Sequence, residues 1–479
     1  MLDVKTSIFL FIGYAIFILL LVWFTKKDKE NSEDFLVMKR GLGVFQGSLS
    51  MAVSWIWAPA VFICSLQAFN QGLPGIFWFT APNILTFFVF VPFALRLRKL
   101  FPNGYTISQA FKDRFKESYA HKASMIVTFG YQLGAIIINC VAGATLISLM
   151  SGIPYYVGVI MMGGVALLYS LISGLRASVM SDVAQMLLVL VVAFILVPLS
   201  LNEIGGFEVL KEGLGGVSGD FSSIFNAEVA FGFGIATTIG LIAGPVADQM
   251  FSQRAFAAKK GSIKKIFIYA GLIFGIVPII LSMLGFIGAA GVRTGLFTIV
   301  DPQMVGPETI GHLLPSWAMG LFALMAFAGL TSTLDSAFTA IGSLTVTDLV
   351  RFKTKDNKEN NSSNGKIKVA RIGMIVFAIV GMSIALLQPK LLWVFLVYGA
   401  LAAALFLPAF LMLFWKRVTA KGVAVGILVG FIVGTPLSIF ANVSENTNLI
   451  VLSAILGLLL GGIVTFLVSV SSPRILSNK

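Results

Sequence analysis

Long apolar runs separated by short polar stretches make up most of the chain. They fall at residues 7–24, 44–70, 74–95, 124–151, 154–174, 180–202, 229–252, 266–291, 314–349, 369–388, 390–415, 420–441 and 448–471. Each is near or above the roughly 20 residues a helix needs to cross a bilayer. A membrane β-barrel would show alternation instead. The pattern predicts an all-α polytopic membrane protein of about 13 transmembrane helices. One run differs from the rest. Within FAGLTSTLDSAFTAIGSLTVTD (327–348), Ser332, Asp335, Ser336, Thr339 and Ser343 recur at helical spacing, which predicts one polar face. Leu330, Leu334, Ala337, Phe338, Ile341 and Leu344 take the other face. Lipid does not accept such a stripe, so it faces a packed or wet interior. A carboxylate such as Asp335 at mid-depth costs at least about 2.5–3.5 kcal/mol unless partnered or neutralised. The plainer reading of the hydroxyls is contact between helices.

Composition agrees with the membrane assignment. Of 479 residues, 57% are hydrophobic and 11% charged, against about 25% charged in a soluble domain. The net charge of +13 raises nucleic acid as a partner, but its placement argues against it. Of the 34 Lys and Arg residues, all but Lys5, Lys211, Arg293 and Lys390 lie in one set of alternate loops or at their membrane edges. By the positive-inside rule that side is cytoplasmic, with the N-terminus outside and the C-terminus inside. Lys26, Lys27 and Lys29 follow the first run, which predicts an uncleaved anchor rather than a secretory signal. Residues 203–228 form an acidic, glycine-rich outer loop with a short amphipathic helix around Phe207–Leu214, and 352–366 a polar cytoplasmic linker.

Several chemistries find no support. Cys64 and Cys140 lie in apolar segments and imply no disulfide framework. His121 and His312 have no second ligand at metal spacing and read as surface or loop residues. A phosphate-binding G-x-x-x-x-G-K loop, a nucleophile–base pair and a cofactor motif are all missing from the sequence. The expectation is a protein that is not an enzyme and needs no cofactor.

Two runs carry interruptions about ten residues in. One is Ser54–Pro59 (SWIWAP) and the other Gly240–Pro245 (GLIAGP). They are five spans apart and run in opposite directions across the membrane. This predicts an inverted five-plus-five repeat. Its parts are an anchor helix and loop (1–43), a first repeat (44–203), an outer loop (204–228), a second repeat (229–415), and two further helices with a tail (416–479). Backbone groups freed at mid-membrane are tolerated only where they line a cavity. There they are the usual ligands of an alkali cation and a small polar solute.

Three stretches are similar to a known family. SGLRASVMSDVAQ (173–185) resembles its entrance to the fifth core helix, with Asp182 at an acidic position. DQMFSQRAFAAK (248–259) resembles its segment after the sixth core helix, and Gly329, Ser332 and Thr333 match a small residue and two hydroxyls of its sodium site. Over roughly residues 40–415 the chain resembles the sodium/solute symporter family, which has the leucine-transporter-type fold. The resemblance implies sodium held by the carbonyls of Ser54, Trp57 and Gly329 and the hydroxyls of Ser332 and Thr333. It places Asp182 on an ion exit route or in a second cation site. Asp335 falls beside the sodium site, as a tuning group, a second cation ligand or a proton carrier. It implies solute contacts among Trp55, Trp57, Gln67, Gln132, Asn139, Thr237 and Tyr398. SWIWAPAVFICSLQAFNQGLPGIFWF (54–79) and LRKLFPNGYT (97–106) resemble the urea-transporting branch. The function implied is sodium-coupled import of a small polar solute, urea first, otherwise proline, pantothenate, a sugar or a carboxylate. The partners implied are that solute and the lipid bilayer of the plasma membrane, with the protein a monomer or weak homo-oligomer. A passive channel is the alternative, disfavoured by the paired helix breaks.

Overall fold

The structure is a computed structural model that describes residues 4–25, 31–350 and 363–472. Lys26, Lys27, Lys29, most of the 352–366 linker and the end of the tail lie outside the described residues. In chain order the helices are α1 (Val4–Thr25), α2 (Ser32–Val37), α3 (Val44–Ser54), α4 (Cys64–Leu100), α5 (Ile107–Phe115), α6 (Ser118–Ser151), α7 (Tyr155–Glu203), α8 (Gly206–Gly213) and α9 (Ala227–Val229). They continue as α10 (Ile235–Ala247), α11 (Gln249–Ala257), α12 (Ile263–Arg293), α13 (Val305–Leu313), α14 (Ser316–Leu344), α15 (Ser363–Ala385), α16 (Leu391–Phe414), α17 (Ala420–Val443) and α18 (Thr447–Ser471). The fold is helical, and among the described residues the extended backbone pairs only at an isolated bridge, Leu42 with Ala258.

Twelve helices among the described residues are long and apolar enough to cross a membrane. The difference from thirteen arises at one place. Residues 59–100 count as one helical stretch, where the sequence predicts a break near residues 70–74. Gly72 there has φ 55, a left-handed turn that glycine adopts without a Cβ penalty. A Cβ on Gly72 would also lie 2.5 Å from the carbonyls of Leu214 and Phe221, so the outer loop packs directly on this turn. The expected 175–179 loop is instead helical. The chain turns at Gly174, φ 51, and α7 continues. The amphipathic outer helix falls at α8, as the pattern predicted.

The second interruption also differs from expectation. Pro245 lies inside α10, and the helix ends two residues later at Ala247, followed by Asp248, whose backbone is extended (φ −80, ψ 109). Proline has no N–H for the carbonyl four residues back. That carbonyl, on Leu241, accepts the Thr86 hydroxyl at 2.7 Å instead, so α10 runs through its proline.

The helix α14 is central. It packs against α1, α3, α6, α7, α11 and α15, and every residue from Met325 to Leu344 is buried. The two-faced helix of the sequence is therefore enclosed on both faces: the apolar side meets protein, not lipid. Large apolar side chains such as Phe9 and Phe24 of α1 stay exposed, as suits an integral membrane protein whose outer surface meets lipid.

Candidate functional site

The helix α3 stops at Ser54, and the chain resumes helical form at Ala58. The N–H of Ala58, left without a helical partner, donates to Asn139 Oδ1 at 2.9 Å. Asn139 Nδ2 donates to Ala135 O, so this amide props the break rather than facing a solute. Across the break lies Thr333 of α14. Its Oγ1 is 3.1 Å from the Ile56 carbonyl, 3.3 Å from that of Gly329 and 3.4 Å from that of Ser54. A hydroxyl has one proton, so it hydrogen-bonds one of these oxygens at a time. The gathered oxygens form an electron-rich cluster of uncharged groups. The sequence reading placed the Trp57 carbonyl here. Trp57 O instead accepts Ala60 N–H at 2.9 Å, and Ile56, one residue earlier, meets Thr333.

Beside this cluster is a fully buried polar network. Ser332 donates to Asp182 Oδ1 at 2.5 Å. Asp182 Oδ2 accepts Ser50 at 2.5 Å and Arg254 Nη2 at 2.9 Å. Arg254 Nη2 also reaches the hydroxyls of Ser54 at 2.7 Å and Ser336 at 2.8 Å. Asp335 accepts Ser178 at 2.7 Å and Ser181 at 3.1 Å. Asp182, Arg254 and Asp335 are each 0% exposed. Arg254 thus pairs with Asp182, while Asp335 is held by serine hydroxyls and reaches the guanidinium only through Ser336. The sequence reading had Arg254 in a cytoplasmic loop at 253–265, but α11 carries it inward. Its signal was the acid-and-basic pair of the DQMFSQR stretch.

A third region lies on the other side of the broken helix. Trp55, Trp57, Asn83, Tyr131, Thr237, Tyr398 and the backbone of Gly240 and Gly399 line a cavity of ≈ 30 Å³. By this measure one water needs about 10–15 Å³. The ring of Trp55 packs on Trp57 at 5.5 Å, and Trp57 on Tyr131 at 5.3 Å. Trp55 Nε1 donates to Asn83 Oδ1 at 2.9 Å. The Thr237 hydroxyl is buried without a protein partner. Of the expected solute contacts, Trp55, Trp57, Thr237 and Tyr398 come together. Gln67, Gln132 and Asn139 do not line this cavity, and Gln132 is hydrogen-bonded to Asp248 at 2.9 Å. Asn83 and Tyr131 were missed. Asn83 stands out in sequence as a lone amide in an apolar run.

His121, read as a surface or loop residue, is buried at the start of α6. Its Nε2 is 2.7 Å from Asp348 Oδ1, and Thr106 donates to Asp348 Oδ2 at 2.6 Å. Thr106, the last residue of the LRKLFPNGYT stretch, also caps α5 by accepting Gln109 N–H at 2.9 Å.

The chain as a whole is similar to known proteins. A urea-proton symporter of Oryza sativa subsp. japonica, DUR3, is 22% identical over 448 residues, covering 85% of this chain and 61% of that protein. A probable urea active transporter 3 of Schizosaccharomyces pombe is 23% identical, covering 83% and 63%. The chain thus spans under two thirds of the length of these relatives. The sodium/pantothenate symporter of Escherichia coli is 24% identical over 313 residues, covering 62% of this chain and 61% of that protein. Among solved structures, a Na+-coupled sialic acid symporter in a substrate-bound outward-open state has the same fold, with a TM-score of 0.77, 17% identity and 98% of both chains covered. The profile of the "Sodium:solute symporter family" matches residues 35–430, and the chain belongs to that family.

Proposed function

We propose that the protein is a sodium-coupled symporter that imports a small, neutral, polar solute, with urea or a similar amide first. The observation that carries this is the convergence of the Ile56, Gly329 and Ser54 carbonyls on the Thr333 hydroxyl at the helix break. Neutral oxygens suit a hard monovalent cation held reversibly. Ser332 is the further hydroxyl ligand, and donating its proton to Asp182 leaves its lone pairs for the ion. Ile56 replaces Trp57 as the ligand. Asp182 and Asp335 form a second cation site or exit route, because among the described residues Arg254 pairs with Asp182 alone and the Asp335 carboxylate, held only by serine hydroxyls, has no cationic partner of its own.

The solute reading rests on the cavity. No lining side chain carries a charge, which favours a neutral solute over a carboxylate. Its small volume suits a solute of few heavy atoms, and the Asn83 amide and Thr237 hydroxyl offer polar partners. The names of the relatives, urea transporters among them, support the same class.

Residues 44–203 and 229–415 act as two inverted repeats, with the N-terminus outside and the C-terminus in the cytoplasm. Sodium bound between the break and α14 favours the outward-open form; solute binding closes it, and inward opening releases both. Each sodium supplies about 2.3 kcal/mol per 100 mV plus its concentration term. The test is uptake into proteoliposomes under a sodium or a proton gradient, over urea, proline, pantothenate, sugars and small carboxylates. Uphill urea accumulation on sodium is the expected result. Accumulation on protons alone would replace the coupling ion, and equilibration without accumulation would make the protein a passive facilitator.

A further inference from the structure

The helix α1 stands outside both proposed repeats, and much of it is exposed apolar surface. Tyr14 is an exception. It is buried, and its hydroxyl reaches into α14. Thr331 Oγ1 donates its own proton to Phe327 O at 2.7 Å. It is therefore the acceptor for its other partners. The Tyr14 hydroxyl lies 2.5 Å from Thr331 Oγ1. Gln185 Nε2 donates to Tyr14 Oη at 2.8 Å and to Thr331 Oγ1 at 3.1 Å. One arrangement satisfies every proton: Thr331 to Phe327, Tyr14 to Thr331, and the two Gln185 amide protons to Tyr14 and Thr331.

The position of this knot is informative. Gln185 follows Asp182 by three residues, one turn along α7. Thr331 immediately precedes Ser332. The Gln185–Thr331 contact and the Asp182–Ser332 contact are therefore neighbouring rungs between the same two helices. A slide of α7 along α14 by one residue, about 1.5 Å, would break both. The Tyr169 hydroxyl, which donates to the Thr331 carbonyl at 2.8 Å, joins α7 to α14 at the same residue.

We propose that Tyr14 is a positioning residue for the candidate cation site. Its hydroxyl locks Gln185 to Thr331, and that lock holds Asp182 in register with Ser332. The extra helix is then a functional part of the ion site and not only an anchor. This rests on the cation site described under Proposed function.

The test compares Tyr14→Phe, Thr331→Val, Thr331→Ser and the Tyr14→Phe/Thr331→Val pair as full chains in proteoliposomes. It reads sodium half-saturation, solute KM at saturating sodium, and maximal rate. Tyr14→Phe keeps the ring and removes only the hydroxyl. It should raise sodium half-saturation by about two- to tenfold, as loss of one hydrogen bond does, with solute KM and maximal rate held. Thr331→Ser should behave as wild type. The double variant should be no worse than the worse single, because both break one lock. A wild-type sodium curve in Tyr14→Phe, a change confined to maximal rate, or additive effects in the double variant would overturn the inference. Sodium-independent uptake by the wild type would instead overturn the cation site, and this inference with it.

Discussion

The Thr333 hydroxyl sits 3.1 Å from the carbonyl of Ile56, joining α14 to the break that follows α3. Neither residue does this alone. The break frees the carbonyl, and α14 brings the hydroxyl to it. Thr333→Ala removes that oxygen and leaves the carbonyls without it. Interactions with a charged group are worth about 1.5–3 kcal/mol, so half-saturation by sodium should rise roughly ten- to a hundredfold. Thr333→Ser keeps the oxygen and should stay near wild type. Sodium titration of uptake checks both, and an unshifted Thr333→Ala curve would mean that sodium binds elsewhere.

Arg254 and Asp182 make a fully enclosed ion pair at 2.9 Å, both side chains 0% exposed. Removing one partner strands the other charge, at a cost of about 3–5 kcal/mol. Arg254→Met should therefore lower the thermal stability of the detergent-solubilised protein sharply. Asp182→Asn on top of it should restore most of the loss, since neither member of the pair is then left as a stranded charge. Unfolding curves of the two variants decide this. Equal destabilisation in both would mean that Arg254 acts through packing alone.

These two contacts show what the sequence reveals and what it hides. The hydroxyls of α14 were legible because a polar stripe in an apolar run is not accepted by lipid and must face the protein interior. The break at Ser54–Pro59 was legible from its proline. The break near α10 was misplaced by three to eight residues, from Gly240–Pro245 to Asp248. A proline alone does not end a helix when another group, here Thr86, satisfies the freed carbonyl. Arg254 was hidden for a different reason. Charge counts assign a basic residue near a span end to the surface, and only the fold shows α11 turning inward to meet Asp182. His121 was misread likewise, because its partner Asp348 is 227 residues away. Register at the single-residue level, Ile56 against Trp57, depends on how a broken helix turns, which periodicity does not encode.

Asp348, in the π-helical turn Thr345–Leu349 that follows α14, is tied to the start of α6 through His121 and to the cap of α5 through Thr106. Asp348→Ala leaves two buried partners unsatisfied, at about 1–3 kcal/mol. Most of that cost should appear locally. Backbone amides at 345–349 should exchange faster with deuterium, while those at 325–335 keep wild-type protection. Uniform loosening along α14 would show that the contact supports the whole helix instead.

At the cavity wall, α10 and α16 approach at Gly240 and Gly399. A Cβ added to Gly240 would lie 2.7 Å from Gly399 Cα, and one added to Gly399 would lie 2.9 Å from Gly240 Cα. The obstruction is backbone on both sides, so no side chain can swing away. Either helix must move, and both line the cavity. Inserting a methyl group into such a contact costs about 1–3 kcal/mol. Part of that falls on solute binding, because Thr237 and Tyr398 move with their helices. Gly240→Ala should therefore raise solute KM by about two- to tenfold, taking roughly half the cost as lost binding. Sodium half-saturation should change little, since Thr333 and Ile56 lie on other elements. Solute KM and sodium half-saturation measured on the same preparation separate the two. A folded Gly240→Ala protein with an unchanged solute KM would place the solute away from this wall.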